Sequence, residues 1–209
     1  MLLASWFDRV REWDVAGLRL IAISLQNGLF DSLMPVITNK WNFIGPLALL
    51  VLYLILFRPR KDQLLAISAV ALVLLADTTT QIIKDLVQRI RPCHVFQQAQ
   101  LLQRAGCTDS FSFPSNHASN TFALAAFISY NYPRLAIPSF LAASLVGYSR
   151  VYLRTHYPTD VLAGAGWGMI LGFMAGMVAR RLMRPGQGDE PARREVAKEP
   201  VGSQTTPSQ

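Results

Sequence analysis

"VLAGAGWGMILGFMAGMV", residues Val161–Val178, carries no charged side chain. Its length approaches the roughly 20 apolar residues that an α-helix needs to cross a bilayer. A helix at the edge of a soluble core would show polar residues along one face at 3.6-residue spacing, and this stretch shows none. Working outward, "LAIPSFLAASLVGY" (Leu135–Tyr148), "LLAISAVALVLLA" (Leu64–Ala76) and "FIGPLALLVLYLILF" (Phe43–Phe57) repeat the pattern. Only 16% of the 209 residues are charged, against about 25% in soluble domains. The pattern predicts an all-α, polytopic membrane protein with six transmembrane helices. The first span, Val15–Phe30, is the weakest, being interrupted by Arg19, Gln26 and Asn27. The others fall near 42–58, 63–89, 115–131, 135–153 and 159–182.

Both flanks differ from this membrane domain of residues 14–183. In residues 1–13, "MLLASWFDRVREW", Leu2, Leu3, Trp6, Val10 and Trp13 share one helical face. That predicts an amphipathic helix lying in the membrane interface. Asp8 and Glu12 argue against a cleaved signal peptide. Residues 184–209 are mostly Gly, Pro, Ser, Thr, Gln and mixed charge, which predicts a disordered cytoplasmic tail.

Six spans would put both termini on one side. Twelve Lys and Arg then fall on the terminal side and seven on the far side, with Arg19 inside the first span. The positive-inside rule makes the terminal side cytoplasmic. The net charge of +7 is therefore read as topology and anion binding, with no nucleic-acid partner. Cys93 and Cys107 share a far-side loop, where an oxidising compartment would let them pair.

Charged residues at membrane depth are costly and usually functional. In the third span Asp77, Gln81, Lys84, Gln88 and Arg91 recur every three or four residues, so they lie in one stripe, which Pro92 ends. Asp77 is expected to hold helices together through an ion pair. Next, "FPSNHASN" (Phe113–Asn120) places Ser115 and Asn116 as caps before an apolar run. A helix start offers free N–H groups to an anion, and His117 lies in that first turn. Finally, "SRVYLRTHYPTD" (Ser149–Asp160) brings Arg150, His156 and Asp160 to the same bilayer face. An Asp four residues after a His can fix its tautomer and make the other nitrogen more nucleophilic. Cations and oriented amides suit a phosphoryl group, and two histidines suit a nucleophile and a general acid.

These residues resemble the type 2 phosphatidic acid phosphatase family. "KDLVQRIRP" (Lys84–Pro92) matches its K-x6-R-P motif, "PSNH" (Pro114–His117) its P-S-G-H motif with one change, and "SRVYLRTHYPTD" its S-R-x5-H-x3-D motif. The resemblance implies a membrane lipid phosphatase that needs neither metal nor other cofactor. It implies that His156 is the nucleophile, Asp160 orients it and His117 protonates the leaving oxygen. Lys84, Arg91, Ser115, Arg150 and the backbone of Asn116 would hold the phosphate. Asn116 replaces the family's usual Gly. Asn tolerates φ > 0, so the loop is expected to keep its shape. The bacterial branch that the chain resembles implies undecaprenyl diphosphate as substrate, with phosphatidylglycerophosphate, phosphatidic acid or lipid A 1-phosphate as alternatives. Arg154 is a candidate for the second phosphate of a diphosphate substrate or for a lipid headgroup, with a solvated loop arginine as the alternative. The site is expected on the extracytoplasmic face of a bacterial inner membrane. A haloperoxidase-like protein, typically soluble, fits the apolar spans poorly. A transporter would need polar residues on the second and fifth spans, which have almost none.

Overall fold

The structure is a computed structural model that describes residues 2–95 and 108–183, with side chains from Asp8 onward. The described residues are helical, with no strand among them. Five helices follow the expected spans closely: α3 (Trp41–Phe57), α4 (Arg60–Val87), α6 (Asn116–Asn131), α7 (Ala136–Tyr152) and α8 (Pro158–Leu182). The others are α1 (Leu2–Arg19), α2 (Gly28–Thr38) and the single turn α5 (Pro92–Val95).

Local chemistry sets the helix ends that matter. Asp62 in the first turn of α4 faces the positive end of the helix dipole and pairs with Arg58 at 3.0 Å. α4 closes where Gln88 turns left-handed, φ 53°, and returns its N–H to the Lys84 carbonyl at 2.8 Å. The stripe expected to run on to Arg91 therefore stops at Val87, and Arg91 lies in the following loop. α8 opens with Pro158 in its first turn, and the Asp160 carboxylate accepts the Tyr157 N–H at 2.8 Å.

α6 and α8 pack at backbone distance. Gly164, Gly168, Gly172 and Gly176 recur every four residues on one face of α8. A β-carbon on the first three would lie 2.5, 2.1 and 2.2 Å from the carbonyl oxygens of Ser115, Ser119 and Ala123. Such small-residue stripes let membrane helices approach closely, where dispersion replaces the missing hydrophobic drive. Leu65, Leu72 and Ala76 of α4 complete this core with Ala123, Phe127 and Ala179. α3 buries no residue and presents Phe43, Leu49, Leu52 and Leu56 outward. An apolar surface of this extent marks a face that meets lipid or another protein, and lipid fits the apolar helices on both sides of it.

Two helices, Pro158–Leu182 and the stretch Arg60–Val95 that includes α4, are long and apolar enough for a full crossing, while α3 is shorter and apolar. The expected count of six is not reproduced, and the departure is clearest at the first span. In place of a continuous helix over Val15–Phe30, α1 runs on to Arg19 and passes into a π-helical turn, Leu20–Ser24. The chain then breaks by 117° into α2. Polar contacts stabilise the break. The Arg154 guanidinium donates to the Ala22 carbonyl at 2.7 Å, and Asn27 caps α2 through the Phe30 N–H at 2.9 Å. The Tyr152 hydroxyl reaches Asp31 at 2.8 Å. Leu18 and Ala22 pack on Val151 and Tyr157, and Met34 on Tyr152 and Leu153. These partners all lie at the α7–α8 turn, so the bent pair covers that end of the bundle.

Candidate active site

That covered end is where the sequence-predicted residues meet. Lys84, on the last turn of α4, is 2% exposed and donates to the carbonyls of Phe111 and Ser112 at 2.8 and 3.4 Å. Arg91 is held by Ser110, through its carbonyl at 2.7 Å and its hydroxyl at 2.8 Å. The same guanidinium donates to the Thr155 carbonyl at 3.0 Å and lies 3.1 Å from His156 Nε2. Arg150, from α7, donates to Thr38 Oγ1 at 2.6 Å, while its Nε is buried without a partner.

His156 sits in the turn between α7 and α8 and is 1% exposed. A guanidinium can only donate, so Nε2 beside Arg91 carries the lone pair and the ring proton is on Nδ1. Nδ1 faces Asp160 Oδ2 at 3.6 Å, which is ion-pair distance and longer than a hydrogen bond. Burial, aided by the charges of Arg91 and Arg150, holds the imidazole far below the ordinary histidine value, at about 3. The nucleophile candidate is thus neutral at ordinary pH. Asp160 Oδ2 also accepts from the Ser112 hydroxyl and the Tyr157 N–H, and Oδ1 accepts from Arg89 at 2.7 Å.

Ser115 is the N-cap of α6. Its hydroxyl accepts the Ala118 N–H, and its own N–H donates to the Asp160 carbonyl at 3.0 Å. Two turns 45 positions apart in the sequence are so joined. His117, in the first turn of α6, lies beside the backbone of Thr38, with Arg150, Lys40 and Arg91 as its charged neighbours. Four buried or half-buried cations, Lys84, Arg89, Arg91 and Arg150, face two carboxylates, Asp14 and Asp160. Two positive charges are left over, which matches a phosphate monoester near its dianion. Among the described residues no three His, Cys, Asp or Glu side chains gather as a metal site.

The comparisons agree with this geometry. Residues 63–184, more than half of the chain, match the PAP2 superfamily. The chain belongs to that superfamily. The lipid A 4'-phosphatase of Bacteroides thetaiotaomicron is 32% identical over 178 residues, covering 80% of this chain and 77% of the relative. The protein of the same name from Porphyromonas gingivalis is 28% identical, covering 71% of this chain and 65% of the relative. Among solved structures, the transmembrane PAP2-type phosphatidylglycerolphosphate phosphatase from Bacillus subtilis aligns with a TM-score of 0.63 at 25% identity, covering 84% of this chain and 89% of that one. The chain is accordingly a membrane phosphatase of PAP2 type.

Within the PAP2 motifs two expectations change. Asn116 is not left-handed: it is the first residue of α6, and only Gln88 and Arg154 among the described non-glycine residues have positive φ. Its side chain donates to Asp77 at 2.9 Å, joined there by Asn120 at 3.2 Å. Asp77 does tie α4 to α6, as expected, but through two amides and not through an ion pair. Arg154 carries its own positive φ of 60° and braces the break after α1. Cys93 is disulfide-bonded; Cys107 and the tail 184–209 lie outside the described residues. Sequence reasoning missed Asp14, Thr38, Arg89, Ser110 and Ser112. Arg89, two positions before Arg91 in the quoted motif, was visible there. The serines are not distinguishable from other loop serines without the fold.

Proposed function

We propose that this chain is an integral-membrane lipid phosphatase that hydrolyses a lipid phosphate monoester through a phosphohistidine on His156. The observation that carries the reading is the fixed tautomer of His156, with its lone pair on Nε2 among Lys84, Arg91 and Arg150. Nε2 attacks phosphorus as the ester P–O bond breaks. Lys84, Arg91, Arg150, Ser115 and the Asn116 N–H take up charge on the phosphoryl oxygens. His117 gives its proton to the departing lipid oxygen, and Asp160 stabilises the positive ring through Nδ1–H. Water deprotonated by His117 then cleaves the N–P bond, releasing inorganic phosphate and neutral His156.

The relatives' substrates, lipid A phosphates and phosphatidylglycerophosphate, are monoesters on bulky lipids, and they come first here. Undecaprenyl diphosphate would need a further cation, and Arg154, the residue expected to provide it, is turned to the Ala22 carbonyl. The membrane is proposed to be the bacterial inner membrane, with the site on its outer side. With α1 and α2 at the catalytic end, the described Lys and Arg divide nine to that end and six to the other. Five at the catalytic end, Lys84, Arg89, Arg91, Arg150 and Arg154, are used inside the fold. The exposed Lys and Arg among the described residues are Arg9, Arg11, Arg19 and Lys40 at the catalytic end and Arg58, Arg60, Lys61, Arg134, Arg180 and Arg181 at the opposite end, which supports a cytoplasmic opposite end.

The test is phosphate release from a panel of these lipids by purified protein in detergent with excess chelator. Wild type should turn over a monoester, and His156→Ala and His117→Ala should not. Turnover by either variant, or loss of wild-type activity on chelation, removes the mechanism. An impermeant thiol reagent should label Cys93 in intact cells after mild reduction; labelling only after lysis reverses the orientation.

A further inference from the structure

One buried ion pair has no part in that reaction. Asp14 lies on α1, outside the residues matched to the superfamily, and is 1% exposed. Its Oδ2 meets Arg89 Nη2 at 2.5 Å. The Thr159 N–H donates to Asp14 Oδ1 at 2.9 Å and the Thr159 hydroxyl to Oδ2 at 2.6 Å. That hydroxyl in turn accepts from Arg89 Nη1 at 2.8 Å, so its one proton and a lone pair are both used. The Arg89 guanidinium lies over the Tyr157 ring, 4.1 Å from its centre. Its Nη1 also holds Asp160 Oδ1 at 2.7 Å.

We propose that Asp14 and Arg89 are positioning residues for the reaction: Arg89, clamped by Asp14, Thr159 and Tyr157, fixes the Asp160 carboxylate so that Oδ2 faces His156 Nδ1. This rests on the phosphohistidine reading above. A carboxylate rotates easily about its last bond, and Ser112 and the Tyr157 N–H hold only Oδ2. Arg89 holds the other oxygen and removes the rotation. Arg89 alone would also offset the charge that Asp160 must lend to the imidazolium. The Asp14 carboxylate cancels that cost, so the anion is both held and still effective. α1 is therefore part of the catalytic machinery as well as a cover.

The charged and titratable groups around His156 and Asp160 are Asp14 and Arg11 from α1, Lys84 from α4, Arg89 and Arg91 from the next loop, His117 from α6 and Arg150 from α7. Asp14→Asn adds net positive charge to this set and Arg89→Gln removes it. The acid-side fall of kcat/KM should move to lower pH in Asp14→Asn and to higher pH in Arg89→Gln, and return toward wild type in the double variant. Each single variant should lose kcat by roughly 10–100-fold, the usual cost of removing an outer partner of a functional histidine. KM should hold, because neither residue touches phosphate. A role confined to docking α1 would lower Tm in all three without opposite pH displacements, and that result overturns the proposal. Asp14→Glu and Arg89→Lys keep the charges and guard against misfolding of the neutral variants. They should keep the wild-type pH profile, and a displaced profile in both also overturns it. Wild-type turnover and an inactive His156→Ala are measured alongside. If these controls fail, the phosphohistidine reading falls; if they hold and the profiles do not separate, only this inference falls.

Discussion

Gly168→Ala should damage both stability and catalysis, although it adds one methyl group. Gly168 lies midway along α8, and a β-carbon there would sit 2.1 Å from the Ser119 carbonyl oxygen and 2.9 Å from the Ala123 nitrogen. Ordinary contact begins at 3.4 Å, so α6 and α8 must separate by more than 1 Å along that line. Both obstacles are backbone, and neither can rotate away. Overpacking of this kind costs about 1–3 kcal/mol, and the upper end applies where backbone meets backbone. Alanine recovers about 1 kcal/mol of helix propensity. The net loss is about 2 kcal/mol, or roughly 4–8 °C in Tm for a domain of this size. α6 also carries Ser115 and His117 at its start, and a shift of about 1 Å at a catalytic group can cost on the order of 100-fold in rate. Gly166→Ala is the control, since nothing lies within 4 Å of its β-carbon. Thermal unfolding in detergent and the rate of phosphate release should show Gly168→Ala impaired in both, with Gly166→Ala unchanged or slightly more stable. Wild-type Tm and turnover in Gly168→Ala, or equal damage in Gly166→Ala, would refute the close-packing argument.

Three other outcomes follow from named contacts. Asn116→Val should fold and keep most activity, because the backbone at 116 is right-handed helix; the lost bond to Asp77 should cost about 1 kcal/mol in thermal unfolding. Thr38→Val removes the acceptor for the buried Arg150 guanidinium and should cost about 1–3 kcal/mol, with a lower kcat/KM in the release assay. His156 in the fold titrates near 3, below its ordinary 6.5, so the unfolded chain takes up the proton first. The stability tied to neutral His156 is complete above 6.5 and is lost as pH falls toward 3, and His156→Asn should show a smaller acid-side decline of Tm.

Five helices were legible within about three residues because a long uninterrupted apolar run in a chain this poor in charge reads as a helix. The first span was not, because Arg19, Gln26 and Asn27 weaken its periodicity and because Arg154, the brace for the break, lies 132 positions from Ala22 in the chain. The glycine stripe of α8 stood in plain view at four-residue spacing, yet its meaning depends on which helix it faces. The three motifs brought Lys84, Arg91, Ser115, His117, Arg150, His156 and Asp160 to one end of the bundle, as their order along the spans implies. At Asn116 the motif's usual Gly suggests a special backbone, whereas the residue is ordinary helix and Asp77, 39 positions earlier, uses its side chain. Asp14 was hidden for a simpler reason. An isolated acid on an amphipathic helix looks solvated until Arg89 and Thr159 are placed against it.

On the proposed mechanism, the resting geometry also keeps the nucleophile candidate His156, buried as it is, ready to act. A histidine this far from water would be costly as a cation, and the surrounding cations keep it neutral. Arg91 then occupies the lone pair proposed to attack phosphorus, at 3.1 Å. An arriving phosphate offers the same guanidinium a charged acceptor in a bidentate geometry, which is stronger than one bond to a neutral ring nitrogen. On that mechanism, substrate binding would free Nε2 by competing for its partner. The same event brings negative charge to the side of the ring opposite Asp160, so the imidazole becomes easier to charge only when phosphate is present. The arginine that covers Nε2 at rest is, on the proposed mechanism, the one that the substrate would draw away.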